Sequence, residues 1–289
     1  MAEPGRVVSE PAPAKLNPFL RVLGRRSDGF HDIETLGQPV TLADGVRAET
    51  ADAGLLSLSI AGEQREAVPR GDDNLVLRAA RELLVEVGPA SGARLLLVKR
   101  IPVAAGLGGG SADAAAALRA LNDLWGVGLT SDALADIGAR VGSDVPALVH
   151  VAPVIARGRG EDVEPVDLPR TWWIVLPASG VSAAESYAAW DEDARDVGPD
   201  VAPLLEAMRS GDLDAVAGYL FNDLEAPVAE RHAEVARRRQ ALLEAGAIGA
   251  IMCGSGPSVA GLALDGTDAE RIANAVGGIA VSAIGGRPA

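Results

Sequence analysis

A chain of 289 residues is long enough to form one large α/β domain or two smaller ones, each with its own hydrophobic core. Its formal net charge of −14 opposes the contacts by which proteins bind nucleic acids and anionic membranes, so we expect neither as a partner. A single cysteine, Cys253, and only three histidines argue against a disulfide framework and a Cys/His metal cluster. We therefore expect a globular protein of the reducing cytoplasm.

The first half of the chain predicts strands followed by helices. Residues 6–60 consist of apolar and β-branched runs separated by turn sequences, which predicts a β-meander. The segment "DDNLVLRAARELLVEVG" predicts a helix that begins behind Asp and Asn caps and ends at Gly88, and "ARLLLVKR" predicts a buried strand. A glycine-rich turn then leads into an alanine-rich helix, and Ser131 is the predicted N-cap of the helix after it.

The second half changes character at Arg157, where the charged segment "RGRGEDVEPVDLPR" predicts a connector between two domains. Beyond it, "WWIVLPA" predicts a strand. Helices are predicted for "PLLEAM", "DLDAVAGYLFNDLEAPV" and "ERHAEVARRRQALLEAG". The run "IGAIMCGSGPSVAGLAL" predicts two buried strands around a glycine turn, and "DAERIANAV" and "IAVSAIG" predict a last helix and strand. This pattern indicates a compact α+β second domain.

The glycine-rich turn, "PVAAGLGGGSADAAA" at residues 102–116, has the properties of an anion site. It lacks the spacing of a P-loop and has Ser111 where a dinucleotide fingerprint has its third glycine. However, Gly106, Gly108, Gly109 and Gly110 remove the Cβ atoms that would keep a phosphate from the backbone, and the following helix presents its N-terminal N–H groups. A triphosphate chain fits this pattern; the alternative is that the glycines only permit a tight turn from strand to helix.

The use of lysine singles out two positions. Of the 26 basic residues, only Lys15 and Lys99 are lysines, and the others are arginines. The excess of arginine is most simply a codon effect of a GC-rich genome. Such pressure leaves lysine where a compact ammonium cannot be replaced by a planar guanidinium, which makes both lysines candidates for a functional site.

Four motifs in order, "PAKLN", "GLGGGSADAAA", "GSDVP" and "GSGPS", resemble those of the GHMP family of small-molecule kinases and together span residues 13–258. The resemblance implies an α+β, two-domain GHMP kinase fold. Its N-terminal domain, ribosomal protein S5-like and of β/α type, would comprise residues 1–157 and bind ATP. Its C-terminal domain, ferredoxin-like and α+β, would comprise residues 158–289 and complete the acceptor site.

Within this family, the segment "GRRSDGFH" beside "AKLN" is the specific feature. It resembles the branch that phosphorylates the 2-hydroxyl of 4-diphosphocytidyl-2-C-methyl-D-erythritol, a cytidine diphosphate sugar-alcohol of the non-mevalonate isoprenoid pathway. The alternatives are another GHMP kinase, acting on mevalonate, homoserine or a sugar, and a catalytically silent nucleotide-binding relative. A monomer or a homodimer is expected.

The resemblance implies two catalytic residues. Asp144 of "GSDVP" is implied as the general base that accepts the hydroxyl proton. Lys15 of "PAKLN" is implied to keep that carboxylate ionised and to stabilise charge near the developing alkoxide. The alternative roles are a helix cap or turn for Asp144 and a surface charge on an edge strand for Lys15.

The implied cofactors are ATP and Mg²⁺. Ser111 and Asp113 lie in the first turn of the helix after the glycines, where a hydroxyl reaches phosphate or Mg²⁺, and Ser111 is the implied metal ligand; the alternative role of both is N-capping. The residues implied to bind the nucleotide are Asn74, Leu75, Lys99, Val103, Ala104, Ala105, Gly106, Leu107, Gly108, Gly109, Gly110, Ser111 and Asp113.

The implied acceptor site reads the cytosine by stacking and by hydrogen bonds. Its implied residues are Asn17, Phe30, His31, Tyr187, Gly254 and Ser255. Phe30 and Tyr187 would sandwich the base, and His31 would bind its edge. The sequence departs from the family at Phe30, where tyrosine is usual, and at Pro18, where leucine is usual. Stacking survives the loss of the tyrosine hydroxyl, whereas a hydrogen bond from it does not.

Overall fold

The computed structural model describes residues 5–88, 91–192 and 197–285. The chain forms two compact units, each assembled from separate stretches. The first unit comprises residues 1–14, 42–103 and 108–151, and the second comprises residues 15–41, 104–107 and 152–289. Two long strands, β1 (Val7–Arg25) and β2 (His31–Thr50), contribute to both units. The domain boundary at residue 157 stays a prediction.

The first unit combines a sheet with four helices among the described residues. Its remaining elements are β3 (Leu56–Gly62), a 3-10 turn (Arg65–Ala67), α1 (Leu75–Val87), β4 (Ala93–Lys99), α2 (Gly109–Leu124), α3 (Ser131–Val141) and α4 (Val145–Val149). β4 lies between β2 and β3, antiparallel to β2 and parallel to β3. The predicted β-meander is therefore wrong in its connectivity, because α1 forms a crossover that returns the chain parallel to β3.

The core of the first unit is built around α2. The alanines at positions 112 and 114–117 of this helix are at most 1% exposed, and they pack with leucines and valines of α1, α3 and β4. Methyl side chains permit close approach of neighbouring elements, which holds the start of α2 near the end of β4. The predicted helices are confirmed, except that Thr130, not Ser131, caps α3, through a hydrogen bond from Ala133 N to its Oγ1.

The second unit contains a four-stranded antiparallel sheet in the order β11-β7-β10-β9. Strands β1 and β2 also pair here, with β8 and β5 respectively. Its own elements are β5 (Val154–Gly158), β6 (Asp162–Pro165), β7 (Trp172–Leu176), α5 (Ala183–Asp191), α6 (Ala202–Ser210), α7 (Leu213–Tyr219), β8 (Phe221–Asn222), α8 (Glu225–Arg231), α9 (Ala233–Glu244), β9 (Gly249–Met252), β10 (Val259–Ala263), α10 (Gly266–Val276) and β11 (Ile279–Ser282).

Two strands, β9 and β10, confirm the predicted strand pair around "CGSGPS". In the part of the chain that the structure describes, no helix has the length and apolar character needed to cross a bilayer. The connector predicted at residue 157 contains β6, which forms a hairpin with β5.

The helical prediction for "DLDAVAGYLFNDLEAPV" is wrong in its centre. The chain leaves α7 at Leu220, whose backbone is extended, and forms the two-residue strand β8 before α8 begins. β8 pairs parallel with β1 through Phe19↔Phe221 and Leu20↔Asn222. Pairing with a neighbouring strand outweighs local helix propensity here, a long-range effect that the local pattern does not report.

Candidate active site

The start of α2 is shaped for an anion. Its N-cap is Gly108, whose φ of 68° lies in the left-handed region that favours glycine, and it supplies no side-chain cap. The N-capping alternative for Ser111 and Asp113 is therefore wrong, because both lie inside the helix. An N-terminus that its own side chains do not cap presents N–H groups and the positive end of the helix dipole.

Asn74 has a defined structural role. It caps α1 by accepting a hydrogen bond from Val76 N at 2.9 Å, and its amide donates to Pro69 O at 2.7 Å. The next residue, Leu75, faces α2, because a Cβ on Gly110 would lie 3.5 Å from Leu75 Cδ1. The structure thus brings Leu75 to the start of α2 and uses Asn74 to hold it there.

Lys99 forms a buried cluster with two aspartates. Its ammonium contacts Asp44 and donates to Asp113 Oδ2 at 2.7 Å, and none of the three residues is more than 3% exposed. A Cβ placed on Gly109 would lie 3.4 Å from Lys99 Nζ, so the ammonium lies against the first residue of α2. Asp44 was not among the residues implied by the sequence.

The Asp113 carboxyl of this cluster has a strongly raised pKa. Burial raises the pKa of Asp113 to about 8; the Lys99 ammonium opposes this rise, and the Asp44 carboxylate adds to it. Asp44 accepts two backbone N–H bonds besides the lysine, whereas Asp113 Oδ1 has no hydrogen-bond partner among the described residues. Asp113 therefore keeps its proton to a higher pH than an ordinary carboxyl group does.

Asp144 occupies the N-cap position of α4 and is half-buried. Its side chain makes no capping hydrogen bond, so the capping alternative for this carboxylate is wrong.

In the second unit, Lys15 is held on β1 by a chain of polar groups. Its ammonium donates to Asn17 Oδ1 at 2.5 Å, and its backbone N–H donates to Leu107 O at 3.0 Å. Asn17 Nδ2 donates to Thr35 Oγ1 at 2.8 Å, and Thr35 donates to Phe19 O at 2.6 Å. β8 pairs with β1 only at Phe19 and Leu20, so the edge-strand alternative for Lys15 stays open. Asn17 is buried, and it orients the lysine.

The second glycine turn, "CGSGPS" at residues 253–258, lies directly against Lys15. A Cβ added to Gly254 would lie 2.8 Å from Lys15 Nζ, 3.0 Å from Asn17 Oδ1 and 3.1 Å from Gly106 O. Gly254 also has a φ of 56°. The ammonium therefore occupies space that any side chain at position 254 would take.

The glycine-rich turn packs against the backbone of this second glycine turn. A Cβ on Gly106 would lie 2.3 Å from Cys253 O and 2.7 Å from Gly256 O, so only glycine permits this approach. Cys253 is fully buried, and burial raises the pKa of its thiol to about 12. The thiol stays protonated and packs as a small apolar group.

Asn222 is a residue that the sequence reasoning missed. Its Nδ2 donates to Met252 O at 2.9 Å and to Gly254 O at 2.8 Å, and its Oδ1 accepts from Leu224 N. It thereby fixes the backbone on the N-terminal side of the second glycine turn. The signal that indicates it is an asparagine followed by an aspartate within a supposed helix, two poor residues for a helix interior.

Ser255 is fixed by a second side chain. Ser186 on α5 is fully buried and donates through Oγ to Ser255 O at 2.8 Å. Tyr187, the next residue on α5, stacks on His31 with ring centroids 4.7 Å apart and planes 19° from parallel. The helix thus connects the glycine turn to an aromatic cluster.

The predicted base-stacking residues lie in two arrangements. His31 Nε2 is 2.7 Å from Asp191 Oδ1, and its ring also meets the edge of Trp190. Phe30 is 50% exposed, and the Arg159 guanidinium lies 5.0 Å from the centre of its ring. In this structure Tyr187 stacks on His31; the sandwich of a base between Phe30 and Tyr187 stays a prediction.

These features agree with comparisons to known proteins. Family models described as GHMP kinases N terminal domain and GHMP kinases C terminal match residues 74–151 and 204–280. The chain therefore belongs to the GHMP kinase family and is a small-molecule kinase. The predicted family and the predicted two-domain α+β fold are confirmed.

Particular relatives are similar over nearly the whole chain. A Moorella thermoacetica protein named 4-diphosphocytidyl-2-C-methyl-D-erythritol kinase is 44% identical over 273 residues, covering 93% of this chain and 94% of its own. A Pelotomaculum thermopropionicum protein of the same name is 42% identical, covering 92% of this chain and 93% of its own. The crystal structure of a 4-(cytidine 5'-diphospho)-2C-methyl-D-erythritol kinase matches with a TM-score of 0.83 and 36% identity, covering 97% of this chain and 100% of that one.

Proposed function

We propose that this protein transfers the γ-phosphoryl group of ATP to the 2-hydroxyl of 4-diphosphocytidyl-2-C-methyl-D-erythritol. The observation that carries the proposal is the 44% identity to a kinase of that name over 93% of the chain. In the reaction, the bond between the β,γ-bridging oxygen and the γ-phosphorus breaks, and a new bond forms to the acceptor oxygen. ADP leaves, and the hydroxyl proton passes to the protein.

The donor nucleotide binds at the glycine-rich turn. Gly108 opens the start of α2 without a side-chain cap, and Gly109 and Gly110 keep the first turn free of bulk. Backbone N–H groups and the helix dipole there stabilise phosphate oxygens. Val103, Ala104, Ala105 and Leu107 complete the turn. Lys99 is paired with Asp44 and Asp113, so its proposed contribution to the nucleotide site is to hold the start of α2 in place.

Mg²⁺ is proposed to enter with the nucleotide. Within the described residues, no three His, Cys, Asp or Glu side chains cluster to hold a metal. This fits an ion that keeps several waters and takes phosphate oxygens with only one or two protein ligands. Ser111 is the proposed protein ligand, because its hydroxyl lies in the first turn of α2. When bound, the ion would neutralise charge on the transferring phosphoryl group.

The chain's own catalytic groups are Lys15 and Asp144. Asp144 accepts the proton of the attacking hydroxyl, and the Lys15 ammonium stabilises the developing negative charge. The contacts of Lys15 with Asn17 and the close approach of Gly254 hold the ammonium in one position. A fixed charge of this kind requires no reorganisation during the reaction.

The cytidine end of the acceptor is proposed to bind at Phe30 and His31. An ionised Asp191 can only accept a hydrogen bond, so His31 Nε2 is the donor in this contact, and in the neutral imidazole Nδ1 is then an acceptor. An Nδ1 acceptor suits the exocyclic amino group of cytosine. The exposed ring of Phe30 offers a stacking surface, with Arg159 contributing positive charge beside the diphosphate.

An acceptor panel tests the proposal directly. ADP release is measured with 4-diphosphocytidyl-2-C-methyl-D-erythritol, mevalonate, homoserine and galactose, and phosphorus NMR locates the new phosphate. Release with the cytidine compound alone, with phosphate on its 2-oxygen, is the expected result. Release with another acceptor would assign a different GHMP kinase activity, and ATP binding without any release would indicate a catalytically silent relative. The cytoplasm is the proposed location, with a monomer or homodimer as the acting form.

A further inference from the structure

We propose that Asp44 is a positioning residue of the nucleotide site, which acts by holding the Lys99 ammonium and the end of β4 so that the glycine-rich turn is preformed. The inference rests on the proposed function, because ATP is the ligand for which the turn is prepared. Neither the family match nor the sequence motifs point to Asp44, which follows "TLA" in a segment that predicts only a turn.

Asp44 continues the hydrogen-bond ladder beyond its last backbone pair. The β2–β4 pairing runs from Thr50↔Ala93 to Gly45↔Val98, so Asp44 is the next residue on β2. At this point its carboxylate accepts hydrogen bonds from the backbone of Arg100 and Ile101. These are the two residues that precede Pro102 and the glycine-rich turn, so the carboxylate fixes where the turn begins.

The other oxygen of Asp44 acts on the far side of the turn. It binds the Lys99 ammonium, which also donates to Asp113 on α2 and lies against Gly109. Asp44 therefore holds the residues before the turn by direct hydrogen bonds. It holds the helix after the turn through Lys99. Preorganisation of this kind reduces the ordering cost of binding a phosphate chain.

A purely stabilising role is the competing explanation. Replacing a buried ion pair by apolar residues is often neutral or stabilising, so stability alone gives little reason for a buried aspartate, lysine and second aspartate. The arrangement at a turn built to approach phosphate favours the positioning role. The two roles differ in whether nucleotide affinity changes in a protein that remains folded.

The test is Asp44→Asn. Asparagine can still accept the two backbone hydrogen bonds through its oxygen, but it removes the charge that binds Lys99. We expect the Kd for a non-hydrolysable ATP analogue, measured by calorimetry well below the unfolding temperature, to rise at least about tenfold while the acceptor KM stays within about twofold. An unchanged Kd in folded Asp44→Asn would overturn the inference.

A matched control comes from the same helix. Glu10 pairs with Arg119 of α2, with Oε2 3.1 Å from Nε, away from the glycine-rich turn. Glu10→Gln removes one carboxylate charge beside α2 and should leave the ATP-analogue Kd unchanged. An equal loss of affinity in Glu10→Gln would mean that any weakening of α2 suffices, and it would overturn the inference.

A comparison in the Lys99→Met background keeps the test decisive if Asp44→Asn alone does not fold. Lys99→Met removes the ammonium, and Asp44→Asn added to it no longer leaves an unpaired lysine. If Asp44 acts through Lys99, Asp44→Asn in the Lys99→Met background should change the analogue Kd by less than about twofold. A further loss of about tenfold in that background would refute action through Lys99. Wild-type binding without acceptor turnover would instead count against the proposed function alone.

Discussion

Gly254→Ala tests whether the second glycine turn positions the Lys15 ammonium. The added Cβ would lie 2.8 Å from Lys15 Nζ, whereas ordinary contacts of a Cβ begin at 3.4 Å. The far end of a lysine moves readily, so the clash should displace the ammonium by up to about 1 Å rather than unfold the protein. A displacement of that size at a catalytic group costs about 100-fold in rate.

The stability cost comes mainly from the backbone. Gly254 has a φ of 56°, and a residue with a Cβ in this left-handed region costs about 1–2 kcal/mol. Gly211 has a φ of 74° with nothing within 4 Å of its Cβ position, so Gly211→Ala carries the backbone cost without a contact to Lys15. Gly254→Ala should therefore lose at least as much free energy of unfolding as Gly211→Ala in urea titrations, since its Cβ also meets Gly106 O at 3.1 Å.

The assay is acceptor-dependent ADP release, with kcat and both KM values measured for wild type, Gly254→Ala and Gly211→Ala. We expect kcat to fall about 100-fold in Gly254→Ala and to stay near the wild-type value in Gly211→Ala. If Gly254→Ala is folded and keeps kcat within about threefold of wild type, Lys15 does not require this turn for its position. The reasoning from the close approach would then be refuted.

Three further predictions concern other parts of the site. Asp144→Asn should abolish ADP release while calorimetry still detects ATP binding, and activity above about a hundredth of wild type would remove Asp144 from the role of general base. Phe30→Ala should raise the KM of the cytidine-containing acceptor far more than that of ATP, and equal increases would count against base stacking. The third prediction concerns Asp113, whose pKa is raised to about 8. The folded protein binds a proton there that the unfolded chain has lost above pH 4, so this contribution to stability declines as pH rises toward 8. Asp113→Asn removes the titration, and its stability relative to wild type should increase between pH 5 and pH 8, by at most about 1.4 kcal/mol per pH unit. A difference independent of pH in urea titrations would contradict the raised pKa.

Several parts of the molecule were predictable because their signals are local or lie in short motifs. Asn74 and Gly88 delimit α1 as predicted, since caps depend on adjacent backbone groups. The glycines before α2 indicated a turn that approaches other atoms closely, and the motif order indicated the family. Two lysines in an arginine-rich chain singled out Lys15 and Lys99, and both have constrained environments in the structure.

Other features depended on contacts that no local pattern encodes. Asn222 lies in a segment with helical propensity, and only its pairing with β1 makes it part of a strand that binds the second glycine turn. Asp44 reads as a turn residue, and its role arises because β4 ends beside it. Likewise, no local pattern indicated that Tyr187 stacks on His31, because the two residues are far apart in sequence.

The sequence by itself determined the family, the positions of most helices and strands, and the residue types at the site. The tertiary structure decided which of these groups meet. It placed Lys99 between two buried aspartates. It also brought Gly254 so close to Lys15 that an added Cβ would lie 2.8 Å from the ammonium nitrogen. The physical reason is that caps, turns and periodicity are set by neighbours along the chain, whereas burial, charge pairing and close approach are set by residues far apart in sequence that only packing brings together.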